Sequence, residues 1–201
     1  ALETALRSNQ TTPQALMYGS DRIALNAPLA EALEQMRVLP DTVRLAILAP
    51  SARLAIITAE SRAFSLALEE LPVPPDETPV MLGSPTDIAE MLDETVFEQA
   101  RFVTLRTERG YVYSMLTSLL RTATARGEKL IRALIPGDPV VGACPSWNGD
   151  LLVASRQGRW ARFPERSIAP NGSQAINLPS GDRLIGAISL PPGQNTTVYL
   201  L

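Results

Sequence analysis

Three stretches of the chain share one pattern of apolar and polar positions. In each stretch a run of β-prone residues ends at Thr or Ser, two further residues and a small residue follow, and the alternation then resumes. The hydroxyl residues are Thr58, Thr107 and Ser155, spaced 49 and 48 residues apart, and a fainter copy lies at residues 16–25. The pattern predicts a β-hairpin in each copy. Gly110 and Gly158 are expected to supply the positive φ of the turn.

A second motif recurs between these hairpins. Residues 137–143 (Gly-Asp-Pro-Val-Val-Gly-Ala) and 181–187 (Gly-Asp-Arg-Leu-Ile-Gly-Ala) are near copies, and looser copies lie at 40–46 and 86–88. Asp138 and Asp182 are predicted to cap a tight turn before an apolar strand.

A unit of about 40–50 residues made mainly of short strands predicts propeller-type blades around an axis. We therefore expect one all-β repeat domain, 1–201, of about four hairpin-containing blades. The predicted blades are 14–45, 46–90, 100–143 and 150–187, with 196–201 as a closing or truncated strand. Residues 28–37 and 88–96 have the apolar spacing of short helices, which we place in loops between strands.

The composition, 45% apolar and 19% charged, is typical of a soluble globular protein. The absence of His excludes His-based triads and HExxH zinc sites. Cys144 is the only cysteine, which excludes an intrachain disulfide, and with no His to activate it a buried, idle thiol is expected. No P-loop or GxGxxG occurs, so we predict no cofactor and no metal.

Two further features bear on the environment of the protein. No apolar stretch approaches the ~18 residues that a membrane span needs, so no membrane contact is expected. The chain begins at Ala1 and ends in a strand-like run at 197–201, as expected of a domain excised from a longer protein.

The net charge of −3 hides a division between the two halves of the chain. Residues 1–100 carry six Arg against fifteen acidic residues, whereas residues 101–201 carry eleven Arg and one Lys against six acidic residues. Such asymmetry favours a polyanion-binding face on one part of a chain, although a solvated Arg-rich surface gives the same pattern. The acidic cluster of Asp87, Glu90, Asp93 and Glu94 lacks the spacing of a metal loop and is interpreted as a solvated face.

The repeats resemble the C-terminal domain of the type IIA topoisomerase A subunits, the DNA gyrase and topoisomerase IV family. The run Ser-Arg-Gln-Gly-Arg-Trp-Ala-Arg-Phe-Pro at 155–164, continued by 171–178 and the Gly-Asp at 181–182, is very similar to the family's hairpin motif. Thr-Glu-Arg-Gly at 107–110 with Ile-Pro-Gly-Asp at 135–138 is a second match, and 58–64 is a weaker third. The resemblance covers about residues 41–201.

The resemblance implies a β-pinwheel that binds or wraps duplex DNA around its outer rim. It implies a domain that is not an enzyme on its own, with the rest of the A subunit and the ATPase subunit of an ATP-hydrolysing topoisomerase as partners, in the bacterial cytoplasm at the nucleoid. The family's gyrase box is not seen, since residues 125–129 are a poor copy of it. We therefore expect DNA contact without strong supercoiling.

Basic residues of the second half are the candidate DNA contacts. Arginine forks hold phosphates in a sequence-independent, salt-sensitive way, and blade stacking could gather these side chains into a stripe. The candidates are Arg109, Arg121, Arg126, Lys129, Arg132, Arg156, Arg159 and Arg162. Their alternative role is to block pairing of edge strands, which is the better interpretation for Arg53 and Arg62.

Trp160 and Tyr111 are expected to pack against other side chains rather than to stack on DNA bases, because pleated hairpins favour aromatic side chains. A second function class stays open: a propeller that binds a basic protein partner through the acidic first half. It differs from the DNA hypothesis in predicting no DNA affinity at physiological salt.

Overall fold

The computed structural model describes the strand backbones at 14–18, 22–26, 44–48 and 80–81, and residues 53–67, 88–94, 99–123, 127–194 and 196–198. Within them lie fifteen strands, a helical turn α1 (Ser118–Arg121), a 3-10 turn (Glu165–Ser167) and two further helical residues, Glu94 and Gln99. The strands are β1 (Gln14–Tyr18), β2 (Arg22–Asn26), β3 (Arg44–Leu48), β4 (Arg53–Thr58), β5 (Arg62–Ala67), β6 (Val80–Met81), β7 (Ile88–Asp93), β8 (Phe102–Thr107), β9 (Tyr111–Leu116), β10 (Glu128–Lys129), β11 (Val140–Ser146), β12 (Asp150–Ser155), β13 (Trp160–Pro164), β14 (Ser173–Gln174) and β15 (Leu184–Leu190).

The strands form four antiparallel sheets, each built around one hairpin, which confirms the all-β prediction. The strand orders are β3-β1-β2-β6 (sheet 1), β10-β5-β4-β7 (sheet 2), β11-β8-β9-β14 (sheet 3) and β13-β12-β15 (sheet 4). In every sheet the first hairpin strand also pairs with the strand that follows the Gly-Asp motif or its looser copy. The second hairpin strand of sheets 1–3 pairs with a two-residue strand that comes from the next repeat along the chain.

The predicted hairpins and their turns are confirmed. In each of the three clear copies the small residue donates its backbone N–H to the carbonyl oxygen of the hydroxyl residue, at 2.9 Å for Ser61, 3.2 Å for Gly110 and 3.1 Å for Gly158. All three small residues have positive φ, which glycine adopts without strain and Ser61 adopts as an exception. The faint first copy is also a hairpin, formed by β1 and β2.

The helix predicted at 88–96 is wrong over most of its length, because Ile88–Asp93 form β7. Ile88, Ala89, Met91 and Leu92 are all buried, so the strand is covered on both faces and lacks the polar alternation of a half-exposed strand. The helix predicted at 28–37 lies outside the described residues.

The core lies between successive sheets. One apolar cluster joins sheet 2 to sheet 3 and includes Ala55, Ile57, Val103 and Leu105. A second joins sheet 3 to sheet 4 through Val112, Cys144, Leu151, Val153 and Leu184. Burial raises the pKa of the Cys144 thiol to about 12, as expected of an idle cysteine.

Charged side chains also cross these interfaces. Arg106 of β8 is buried, lies 4.0 Å from Glu90 of β7 and donates to the carbonyl oxygen of Ile185 in β15 at 3.5 Å. Glu90 also accepts the backbone N–H of Ala143. Glu90 is therefore an interface residue, and its predicted place on a solvated acidic face is wrong.

Candidate nucleic-acid interface

One end of each sheet carries both repeated turns. We call this end the tip edge; it consists of the hairpin turns 59–61, 108–110 and 156–158 together with the turns before Asp138 and Asp182. The two Asp turns are equivalent, since Asp138 N–H donates to the Ile135 carbonyl oxygen and Asp182 N–H to that of Pro179, both at 3.1 Å.

A hydroxyl–aspartate pair fastens the two turns of sheet 3 to each other. Thr107 donates its hydroxyl to Asp138 Oδ2 at 2.7 Å, and Asp138 Oδ1 accepts the backbone N–H of Arg109 at 2.8 Å. Both Thr107 and Asp138 are buried. The carboxylate thus fixes the backbone from which the Arg109 side chain extends.

The same pair recurs in sheet 4. Ser155 donates to Asp182 Oδ2 at 2.6 Å, and Asp182 Oδ1 accepts the backbone N–H groups of Gln157 at 3.0 Å and Arg183 at 2.9 Å. Desolvation is the largest effect on this carboxyl and raises its pKa, but these hydrogen bonds and the charge of Arg159 together bring the pKa below its ordinary value. Both aspartates follow a tight turn before an apolar strand, as predicted, but their carboxylates mainly cap the adjacent hairpin turn; of the two, Asp182 also accepts the backbone N–H of the residue that follows it.

Backbone hydrogen bonds align the tip edges of neighbouring sheets. The N–H of Val140, in sheet 3, donates to the carbonyl oxygen of Ala59, at the tip of sheet 2, at 2.9 Å. The N–H of Leu184, in sheet 4, makes the equivalent bond to Glu108, also at 2.9 Å. Successive tip edges therefore lie side by side.

Four of the predicted DNA-contact residues lie along these tip edges and are exposed. Arg109 and Arg156 lie in the hairpin turns of sheets 3 and 4, and Arg159 directly follows the turn of sheet 4. None of the three joins an ion pair among the described residues. Lys129 pairs in register with Arg62 at the tip of sheet 2, where its ammonium donates to the Glu60 carbonyl oxygen at 2.9 Å.

The remaining candidates lie elsewhere. Arg162 lies within β13, three residues after Arg159, and donates to Asp150 Oδ2 at 2.7 Å, which offsets its charge. Arg121 follows the opposite end of β9, about 15–20 Å from the tip at roughly 3.3 Å per residue. Arg132 lines a groove beside Tyr113 and Ser114, and it follows Ile131, whose N–H donates to Ser61 Oγ at the tip of sheet 2, so it lies next to the tip edge without belonging to a turn. Arg126 lies outside the described residues.

The sequence analysis missed one exposed residue at the tip edge and misjudged the environment of one residue beside it. Arg183 is exposed at the tip edge, where it lies 3.9 Å from Glu108 of the neighbouring hairpin turn; its place directly after the Gly-Asp motif was the available signal. Trp160 was expected to pack, and this is wrong, because it is 63% exposed. Tyr111 packs partly buried against the core, as expected.

The described residues hold no group of three or more potential metal ligands. Among them, no helix has the length and apolar character needed to cross a membrane.

Three solved structures with a similar fold are C-terminal domains. The chain superposes on the C-terminal domain of DNA topoisomerase IV with a TM-score of 0.63 at 15% identity, covering 87% of this chain and 60% of that one. For the DNA gyrase A C-terminal domain the TM-score is 0.64 at 16% identity, with 88% and 65% covered. For the E. coli ParC C-terminal domain it is 0.60 at 16% identity, with 90% and 80% covered.

The chain shares the fold of these domains. The β-pinwheel predicted from the repeats is thereby confirmed at the level of the fold. The chain spans less than two thirds of the topoisomerase IV and gyrase A domain structures. No protein-family model and no curated protein match the sequence.

Proposed function

We propose that this pinwheel is a non-catalytic DNA-binding domain of the kind found in type II topoisomerase A subunits. In this role it would hold duplex DNA while cleavage and ATP hydrolysis occur elsewhere, in the rest of the A subunit and in the ATPase subunit. The likeness of fold to three such C-terminal domains supports the class of protein, and the site itself has to support the DNA contact.

The observation that carries the DNA contact is the alignment of basic side chains along neighbouring tip edges. Arg109 and Arg156 extend from adjacent hairpin turns that hydrogen bonds hold in register, and Arg159 extends from the same turn region as Arg156. A row of exposed guanidinium groups on a rigid backbone suits a phosphate backbone, which needs positive charge and no base-specific geometry. Two carboxylates reduce the net positive charge of the row: Glu108, which lies 3.9 Å from Arg183, and Asp182, which feels the charge of Arg159.

Binding to a linear duplex, measured by fluorescence anisotropy over a salt series, tests this proposal. The tip variant replaces Arg109, Arg156 and Arg159 by Gln, and we expect at least about a tenfold loss of affinity at low salt. We also expect the slope of log K against log salt to fall by about 0.9 for each phosphate contact removed.

The matched control replaces Arg121, Arg162 and Arg166 by Gln; Arg166 is exposed in the 3-10 turn after the far end of β13, so this variant removes the same charge away from the tip edge. We expect it to bind within about threefold of the wild type, because long-range charge alone is screened at moderate salt. Equal losses in both variants would show a diffuse charge effect instead of a tip-edge site. No binding by the wild type at low salt would refute the DNA function.

The alternative function, a protein-interaction module using the acidic first half, rests on residues that lie largely outside the described ones. No contact among the described residues favours it, so the DNA function is the one we put forward.

A further inference from the structure

The first residue of the hairpin turn changes its charge from one sheet to the next. Ala59 occupies this position in sheet 2, Glu108 in sheet 3 and Arg156 in sheet 4. The three turns are otherwise equivalent, since in each the third turn residue has positive φ and donates its N–H to the residue before the turn. A negative charge therefore lies in the row of basic side chains, at a position where the next sheet has a positive one.

Backbone hydrogen bonds hold Glu108 beside Arg183, which lies between two hairpin turns. The Glu108 N–H donates to the carbonyl oxygen of Pro139, and the Glu108 carbonyl oxygen accepts the N–H of Leu184, both at 2.9 Å. On the other side, the Arg183 carbonyl oxygen accepts the N–H of Arg156, also at 2.9 Å. Arg183 is therefore fixed at the junction between the tip of sheet 3 and the tip of sheet 4.

The side chains of Glu108 and Arg183 form an ion pair that is open to solvent. Arg183 Nη1 lies 3.9 Å from Glu108 Oε1, and the Arg183 side chain is 52% exposed and that of Glu108 38%. An exposed pair contributes little to stability, so little free energy is needed to separate it. A phosphate oxygen is also an anionic acceptor and can take the place of the carboxylate on the guanidinium.

Arg183 lies where a phosphate that contacts the flanking turns can also reach it. Arg109 and Arg156 are exposed on those two turns. In the free protein Glu108 offsets the charge of Arg183, and its carboxylate repels a phosphate that approaches the junction. The carboxylate therefore sets how much of the positive charge at the junction is available to an anion.

We propose that Glu108 competes with phosphate groups for Arg183. In the free protein the carboxylate lies against the guanidinium, and a bound phosphate replaces it and leaves Glu108 facing solvent. Glu108 thereby lowers the affinity of the tip edge for DNA, a role that rests on the proposed DNA function and adds to it a residue that limits the affinity.

The DNA affinity of Glu108→Gln, measured on a linear duplex over a salt series, tests this role. We expect this variant to bind at least about threefold more tightly than the wild type at low salt. The slope of log K against log salt should steepen by up to about 0.9, the value for one more phosphate contact. The thermal midpoint should stay nearly unchanged, because the backbone hydrogen bonds of residue 108 remain and the lost ion pair is exposed.

Asp150→Asn is the matched control. It removes the same charge and separates a comparable ion pair, since Arg162 is 59% and Asp150 31% exposed, but it does so at the opposite end of sheet 4. We expect it to bind DNA within about twofold of the wild type, because a distant charge is screened at moderate salt. An equal gain in affinity from both variants would overturn the proposal, since net charge alone would then explain it.

Arg183→Gln tests whether the effect of Glu108 passes through the guanidinium. In a double-mutant cycle, the gain from Glu108→Gln should be smaller in the Arg183→Gln chain than in the wild type by at least about a factor of two. The same gain in both backgrounds would contradict the proposal, because Glu108 would then repel DNA without competing for Arg183.

Tripolyphosphate, which carries phosphate groups and no bases, separates this competition from the DNA function. The Nε–Hε signal of Arg183 in nitrogen-15 spectra is assigned by its loss in Arg183→Gln. It should respond to tripolyphosphate at a concentration at least about threefold lower in Glu108→Gln than in the wild type. Equal responses would refute the competition even where the wild type binds DNA. The expected responses without DNA binding would refute the DNA function and support Glu108 as a competitor of phosphate.

Discussion

Gly142 shows how a single residue accommodates the buried charge between the sheets. A Cβ at this position would lie 2.2 Å from the guanidinium of Arg106, which is buried and ion-paired with Glu90. The absence of a side chain therefore lets β11 lie against β8 while Arg106 reaches the neighbouring sheets. Burying a guanidinium is tolerated here because Glu90 lies beside its charge and its Nη2 donates to the carbonyl oxygen of Ile185.

We expect Gly142→Ala to destabilise the fold by about 1–3 kcal/mol, because the guanidinium has to move out of its paired position. The free energy of unfolding, from chemical denaturation, measures this. Gly186→Ala is the matched control, since Gly186 occupies the same place in the second Gly-Asp motif and has open space around it. It should change stability by no more than about 0.5 kcal/mol. Equal losses of stability in the two variants would show that the backbone conformation, and not the contact with Arg106, requires glycine at position 142.

The roles of residues that act within their own turn were predictable from the sequence. Thr58, Thr107 and Ser155 mark their turns because the hydroxyl, the turn and the positive φ lie within four residues. The environments of Glu90 and Trp160 were not predictable in this way. Glu90 is charged and yet lies between sheets, because Arg106 and the backbone of Ala143 in the neighbouring sheet contact it. Trp160 is aromatic and yet 63% exposed, because its side of sheet 4 is not covered there.

Among the elements, the hairpins were predictable and the short outer strands were not. β10 and β14 have two residues each, too few for a period to be recognised, and they become strands because the edge of the preceding hairpin orders them. A repeated signal was nevertheless present. Gly127 and Gly172 precede these strands with positive φ and lie against Phe64 and Tyr113, which occupy equivalent places in successive hairpins.

The stability that the hydroxyl–aspartate pair Ser155–Asp182 provides is expected to depend on pH, because Asp182 is titratable. Its pKa is lowered in the folded state, so its contribution to stability is present above the ordinary carboxyl pKa of about 4 and is lost as the pH falls through the folded value. We expect Asp182→Asn to lower the thermal midpoint by a few degrees at pH 7. The difference from the wild type should shrink toward pH 3.

The control for Asp182→Asn is Asp150→Asn, which removes an exposed ion pair with Arg162. It should lower the thermal midpoint at pH 7 by less than Asp182→Asn does, because exposed ion pairs contribute little to stability. A gap between wild type and Asp182→Asn that stays constant from pH 7 to pH 3 would contradict the assignment. Melting followed by far-ultraviolet circular dichroism across the pH range is the measurement.

At the scale of the whole molecule, the sequence predicted the repeat architecture but not the places where the basic residues meet. Arg109 and Arg156 are far apart in the chain and lie on adjacent tip edges because hydrogen bonds align the sheets. Arg121 and Arg162 look equivalent to them in sequence and lie elsewhere. The number of charged residues in a segment does not distinguish the arginines at the tip edge from those away from it, because it carries no information on the direction of the strands.

The contact between repeats can be tested with two glycines in equivalent turns. Gly110 and Gly158 both have positive φ, so replacement by Ala should cost about 1 kcal/mol at either site. Gly110→Ala should cost about 1–3 kcal/mol more, because its Cβ would collide with the Ile176 carbonyl oxygen of the next repeat. Chemical denaturation of both variants gives the comparison. Equal losses would argue against a tight junction at Gly110.

Each repeat supplies a two-residue strand that pairs with the hairpin of the preceding repeat. This pairing also constrains how such a chain can change in evolution. Deleting an internal repeat removes the strand that the preceding hairpin needs and leaves the following repeat to supply one shaped for another neighbour. The repeats are therefore coupled in neighbouring pairs, and an exchange inside the array has to preserve the match between each hairpin and the short strand that follows it in the chain.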